Sequence, residues 1–386
     1  MKKFLLFLSI FSASCVYAQS TKTLIGESDA PTLIERISDN RDSHINLEFA
    51  SSANAYFTEG EFDESSFKMN RVRLEIYGKL NNSLSYHFRQ SYNKYSNPYS
   101  VDNISSSIEY ANIKWRQNDK FDIVVGKQFL AVAGYEGYVN GLFVREFSEF
   151  NNNFEIFVTG IKGSYYMTPD QHFYFQVTNN RNGSDEDMYM YGLPPGIKSS
   201  KIPLLATANW TGWFADRSIN LMYSASVGQL AEGKNVYYLM AGNIYEKGPV
   251  LAYLDILYQR SALDTQHRIT SLSHIPVTAQ NTQYLTFIAN VDYRFNSKWN
   301  AYLKGAYETA GVYKENMFYS EGRYTTSWNA QACLEWFPIS EDAGFKVFAH
   351  LLYKGFELTE NAKALGATMP HTQRISLGIQ YIIPVL

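Results

Sequence analysis

From Ile45 onward, apolar and polar residues alternate one by one in segment after segment, and no other feature of the chain constrains the fold as much. Leu285, Phe287, Ala289, Val291, Tyr293 and Phe295 alternate with Tyr284, Thr286, Asn290, Asp292 and Arg294. Trp328, Ala330, Ala332, Leu334 and Trp336 alternate with Ser327, Asn329, Gln331 and Glu335. Successive side chains of a strand point to opposite faces, so each such segment has one apolar and one polar face. The pattern predicts strands at roughly 44–57, 67–80, 84–95, 104–116, 121–131, 154–166, 172–180 and 203–214. It continues at roughly 218–228, 236–246, 249–260, 282–295, 299–311, 324–337, 345–357 and 372–385, which makes about sixteen.

The links between these segments alternate in length. Asn81-Asn82-Ser83, Gln117-Asn118-Asp119-Lys120, Pro169-Asp170-Gln171, Lys247-Gly248 and Asn296-Ser297-Lys298 are short. Between them come 58–66, 96–103, 132–153, 181–202, 261–281, 312–323 and 358–371, with a shorter loop at 229–235. Short periplasmic turns alternating with long extracellular loops are the layout of a transmembrane antiparallel β-barrel. A soluble sandwich would not sort its connections by length. Tyr77, Trp115, Phe121, Phe295, Trp299 and Trp336 lie beside short turns, where a barrel carries the aromatic girdle that meets lipid headgroups. Lipid offers no partner to a free strand edge, so the first and last strands must pair. About sixteen strands leave an aqueous lumen, whereas about eight would be filled by side chains.

Residues 1–18 read as a cleavable export signal: Lys2 and Lys3, an apolar run Phe4–Phe11, then Val16-Tyr17-Ala18 before Gln19. That run is too short to span a membrane as a helix. A lipid-modified Cys15 is a minor alternative, because Ser12-Ala13-Ser14 precedes it. Residues 19–43 form a separate N-terminal segment, periplasmic or tucked against the barrel. There Asp29-Ala30-Pro31 can start a short helix carrying Leu33, Ile34 and Ile37. The barrel itself is expected over 44–386.

Composition excludes several alternatives. The 16% aromatic content and a net charge of only -3 argue against disorder. With Lys+Arg at 34 and Asp+Glu at 37, the chain lacks the basic excess of a nucleic-acid binder. After cleavage at Ala18, Cys333 is the one cysteine left, so no internal disulfide forms. The histidines show no Ser–His pairing, metal-ligand spacing is absent, and Gly192-Leu193-Pro194-Pro195-Gly196 is a turn segment rather than a phosphate cradle. The expectation is a non-enzymatic barrel with no cofactor and no metal.

Three stretches carry a resemblance. Arg71-Val72-Arg73-Leu74-Glu75-Ile76-Tyr77-Gly78-Lys79-Leu80, Val124-Val125-Gly126-Lys127-Gln128-Phe129 and Gln373-Arg374-Ile375-Ser376-Leu377-Gly378-Ile379-Gln380-Tyr381 resemble strands of the phosphate-selective porin O and P family. The likeness spans roughly residues 44–386. It implies a trimeric, water-filled barrel of the Gram-negative outer membrane, in contact with lipid and lipopolysaccharide, that passes anions. No dense Arg/Lys ladder runs along one wall of this chain.

Parity assigns the lumen face. The selectivity candidates are Arg71, Arg73, Glu75, Lys79, Arg89, Lys114, Arg294, Lys304 and Arg374. Basic residues outnumber acidic ones on that face, although the whole chain is acidic, and acid collects in loops at Glu59–Glu64 and Asp185–Asp187. A basic wall in a low-dielectric tube favours anion entry. The link 132–153, with Tyr135, Tyr138, Arg145, Glu146 and Glu149, is the segment expected to fold inward and narrow the pore. The functional expectation is a passive diffusion channel for small hydrophilic solutes with mild anion preference. The alternative is a surface-binding or adhesion barrel that conducts little.

Overall fold

The computed structural model describes residues 43–94, 102–138, 144–340 and 344–385. The expected export signal and N-terminal helix lie outside the described residues. The first half of the barrel is β1 (His44–Thr58), β2 (Glu61–Lys79), β3 (Leu84–Ser91), β4 (Ile108–Asn118), β5 (Phe121–Phe129), β6 (Phe157–Thr168), β7 (Gln171–Asn179) and β8 (Leu204–Phe214). The second half is β9 (Ile219–Ala231), β10 (Lys234–Lys247), β11 (Val250–Leu263), β12 (Gln280–Asn296), β13 (Trp299–Val312), β14 (Gly322–Trp336), β15 (Phe345–Leu358) and β16 (Thr372–Pro384). Each strand pairs with the next, and β1 pairs antiparallel with β16, Phe49 opposite Tyr381, so the sheet closes.

A repeated local device makes three of the tight turns. The Asn81 side-chain oxygen accepts from the Ser83 and Leu84 N–H groups at 2.8 and 2.9 Å. Asn118 accepts from Lys120 and Phe121 at 2.8 and 3.0 Å. Asn296 does the same for Lys298 and Trp299 at 2.8 and 3.1 Å. An asparagine that mimics a backbone carbonyl reverses the chain without a longer loop.

Alternation becomes an apolar outside. Leu303 and Leu377 are 66% and 62% exposed, and Ile113, Val125, Ile161, Phe175, Leu239, Val291 and Leu351 continue the band. On a closed barrel, a band of exposed hydrocarbon of this extent is the mark of a wall that faces lipid. No helix among the described residues is long and apolar enough to cross a membrane; the strands do the crossing. Trp299 and Trp336 stack side by side on neighbouring strands, 6.1 Å between ring centroids, next to the short turns.

Four details differ from the sequence expectation. The link at 58–66 is a continued hairpin, turned at Glu59-Gly60, where both residues have positive φ (51° and 85°), the geometry of the tightest hairpins. The link at 229–235 shrinks to Glu232-Gly233, with Gly233 at φ 69°. Connection length is therefore sorted less strictly than expected. The third link is longer than 96–103, because β3 stops at Ser91 after a register shift at Arg89/Gln90. Tyr77 does not join the lipid-facing girdle. It pairs with His87, which bonds Glu75, and so stands on the inner face.

The inside is filled unevenly. Loops from the long-loop end pack over β8–β14. Tyr319 Oη donates to the Val277 carbonyl (3.0 Å), Thr278 Oγ1 to Gly192 (2.7 Å) and Tyr189 Oη to Leu230 (3.2 Å). Asp264 accepts from the Ile269 and Thr270 N–H groups at 3.0 and 2.8 Å. The side bounded by β2–β6 is left open.

Candidate functional site

The link between β5 and β6 folds into the lumen as two single-turn helices, α1 (Tyr135–Tyr138) and α2 (Glu149–Asn152). Wall carboxylates hold both. Asp255 on β11 accepts from the Tyr135 and Glu136 N–H groups at 2.8 Å each. Glu308 on β13 accepts from the Glu149 and Phe150 N–H groups at 2.7 and 2.9 Å. A carboxylate facing free backbone N–H groups is a charge-assisted hydrogen bond, stronger than a neutral one. Before α1, Ala131 N–H donates to Gln176 (2.6 Å) and Ala133 N–H to Ser224 (2.7 Å).

Salt bridges tie the rest of the loop to the far wall. Glu136 pairs with Lys304 and accepts from Ser148 N–H at 3.1 Å. Arg145 pairs with Glu335 at 3.0 Å and lies over the Phe348 ring at 3.7 Å. Glu146 bridges Lys354 (2.6 Å) and Arg374 (3.0 Å). Burial raises the Glu146 carboxyl, but Lys354 and Arg374 outweigh it and leave the group below the usual carboxylate range. The loop thus crosses from β7–β9 to β13–β16 and leaves a passage beside β2–β6.

That passage is a cavity of about 590 Å³. It is lined by six cations, Arg71, Arg73, Arg89, Lys94, Lys114 and Lys162, against two carboxylates, Glu109 and Glu155. Glu109 carries much of the local compensation. It meets Lys94 at 2.6 Å, Arg89 at 2.7 Å and Arg73 at 3.4 Å, and accepts from Ser91 Oγ at 2.9 Å. Glu48 pairs with Arg73, Glu75 reaches Arg89 at 3.5 Å, and Asp122 holds Lys114 at 2.8 Å, all just behind the lining. Lys162 has no ion pair among the described residues; its ammonium sits 5.8 Å from the Tyr174 ring.

The sequence-derived candidates divide accordingly. Arg71, Arg73, Arg89 and Lys114 come together in this cavity, with Glu75 behind them. Lys304 and Arg374 face the lumen but are taken up by the loop, on Glu136 and Glu146. Arg294 lines a second cavity of about 610 Å³ toward the short turns and donates to the Ser297 carbonyl at 3.0 Å. Lys79 is exposed beside the turn at 80–83 and does not line the cavity. Of the loop residues, Tyr138 lines the passage, whereas Tyr135, Arg145, Glu146 and Glu149 turn to the wall as anchors.

Sequence reasoning passed over Lys94, Lys162 and Glu48. Lys162 and Glu48 were legible by parity, since each alternates with outward neighbours. Lys94 lies beyond the end of β3 and gave no periodic signal. Among the described residues, no grouping of His, Cys, Asp and Glu has the makings of a metal site.

Comparison with known proteins agrees with this architecture. The chain covers 89% of itself and 98% of the outer membrane channel DcaP of Acinetobacter baumannii, with a TM-score of 0.60 at 11% identity. It covers 88% of itself and 99% of an anion-selective porin from Comamonas acidovorans, with a TM-score of 0.55 at 8% identity. For the trimer form of OmpT, an outer membrane protein of Vibrio cholerae, the figures are 89% and 100%, with a TM-score of 0.52 at 10% identity. At these identities the likeness establishes the fold alone. No curated protein matches the sequence significantly. The family model for phosphate-selective porin O and P matches residues 44–383, nearly the whole barrel, and the chain therefore belongs to that family of outer-membrane channels.

Proposed function

We propose that the protein is a passive diffusion channel for small hydrophilic solutes with a mild preference for anions, phosphate-type anions among them. It works as a homotrimer surrounded by outer-membrane lipid and lipopolysaccharide, after loss of residues 1–18. The observation that carries this reading is the excess of six lining cations over two carboxylates in the passage beside the inward loop. A solute entering there leaves bulk water for a tube of low-dielectric walls, where an unbalanced positive field lowers the barrier for anions and raises it for cations. The carboxylates behind the lining reduce that field, which makes the preference mild. Likeness to an anion-selective porin and to a trimeric barrel supports the reading.

The test is the reversal potential of the purified protein in planar bilayers under a KCl gradient. The wild type should favour chloride, most clearly in dilute salt, because charge effects are screened over about 8 Å at physiological ionic strength. Changing Arg71, Arg89 and Lys162 together to Gln should move the potential toward cation preference while the pore still conducts. An unchanged permeability ratio in dilute salt would remove the cavity from the selectivity mechanism. A silent membrane with correctly folded protein would favour the surface-binding alternative.

A further inference from the structure

The lumen holds a continuous file of aromatic rings that anion preference alone does not call for. His44 and Tyr77 stand at the short-turn mouth, their ring centroids 4.9 Å apart. Tyr77 meets His87 at 5.9 Å, and His87 stacks on Tyr110 at 4.1 Å. Tyr110 meets Phe157 edge-on at 5.4 Å, and Phe157 meets Phe129 at 5.8 Å. Phe129 then meets Tyr138 of α1 at 4.6 Å. The file climbs from the mouth into the open passage, and its last five rings line the cavity.

Cations are interleaved with these rings. The Arg89 guanidinium lies 4.4 Å from the Tyr110 centroid and 5.2 Å from that of Phe157. Lys94 sits 5.2 Å from Phe157 as well. Guanidinium and ammonium groups draw on the ring faces, which leaves ring edges, their positive rims, available to a guest. A small inorganic anion gains nothing from apolar ring edges, and a cavity of about 590 Å³ is far larger than it needs. A flat solute with an electron-rich face and a carboxylate uses both parts of the wall. Its ring packs against the aromatic edges while its carboxylate meets Arg89 or Lys94.

From this juxtaposition we infer that the passage is a binding track for aromatic carboxylates. The assignment rests on the channel reading above and names a solute class for it. Held weakly along the file, such a solute would pass from ring to ring rather than be trapped, which transport through multiple weak sites requires.

The experiment measures block of the KCl current by sodium benzoate and by sodium acetate, in the same bilayers. Benzoate should reach half-block at a concentration about tenfold lower than acetate, a difference of about 1.4 kcal/mol. Phe157→Leu should raise the benzoate half-blocking concentration several-fold and move that of acetate much less. Equal half-blocking concentrations in the wild type overturn the assignment, whatever the KCl reversal potential. A benzoate advantage in a channel that prefers potassium overturns the anion-preference reading and leaves ring recognition standing. Block by benzoate that Phe157→Leu and Tyr110→Leu both leave unaltered overturns the role of the ring file.

Discussion

Arg73 illustrates how little a charge's position along the sequence says about its task. Its side chain is 1% exposed and lies between Glu48 and Glu109. Removing one member of a buried ion cluster leaves the others uncompensated, at a cost of roughly 3–5 kcal/mol. Arg73→Gln should therefore lower barrel stability strongly, read as the urea concentration at which the heat-modifiable gel shift is lost. Lys162→Gln, at a residue with no ion pair among the described residues, should shift that midpoint far less. Leu334 makes the opposite point from the lipid side, where it is 45% exposed on β14. Leu334→Arg should cost roughly 2–4 kcal/mol and hinder insertion into liposomes. Ser85→Arg, entering the cavity, should insert almost as well as wild type. Insertion of Leu334→Arg as efficient as that of the wild type would mean that Leu334 does not face lipid. Parity was enough to put Arg71, Arg73, Arg89 and Lys114 on the inner face. Their partners were not legible, because Glu48–Arg73 and Glu109–Arg89 are contacts between strands, and a one-dimensional pattern holds no register.

At the scale of an element, the inward loop behaves as a strut held from both ends. Glu136 reaches Lys304 and the Ser148 backbone, so Glu136→Gln would leave a buried ammonium without its counter-charge. The expected outcome is a noisier channel with a smaller mean conductance, because the loop no longer keeps its distance from β2–β6. A quiet channel of unchanged conductance would show that Asp255 and Glu308 suffice as anchors. Glu146 adds a pH dependence. Its carboxyl is depressed in the folded protein by Lys354 and Arg374, against the effect of burial. Its contribution is fully present above the ordinary glutamate value of about 4.3 and is lost as pH falls through the lower folded value. The part of the conductance noise that this anchor controls should rise only in acid below the ordinary glutamate value. An inward-folding loop was legible from its length and place after the fifth strand. Which of its residues line the passage was not, because its direction is set by Asp255 and Glu308, more than a hundred residues downstream. The two over-long loop expectations failed for a local reason: glycines at 60 and 233 permit a two-residue reversal that neighbouring polar residues concealed.

For the whole molecule, closure through β1 and β16 sets both orientation and fate. An even number of strands returns the chain to the side where it started, so the loops around Asp185–Met188 and Glu360–Ala364 share one side of the membrane. Membrane-impermeant labels on cysteines introduced at Glu186 and Lys363 should react on intact cells. Reaction only after the outer membrane is broken would reverse the orientation. The seam has another consequence. Each hairpin of the wall can form from neighbouring sequence, but Phe49 must wait for Tyr381. Such a non-local contact is slow to nucleate, because the chain between must be confined before any pairing rewards it. Until that moment two unpaired edges remain, which a bilayer does not tolerate. A ribosome that stops short of the last strand therefore makes no smaller pore. It makes a sticky sheet with two open borders, and quality control must meet it as an all-or-nothing product.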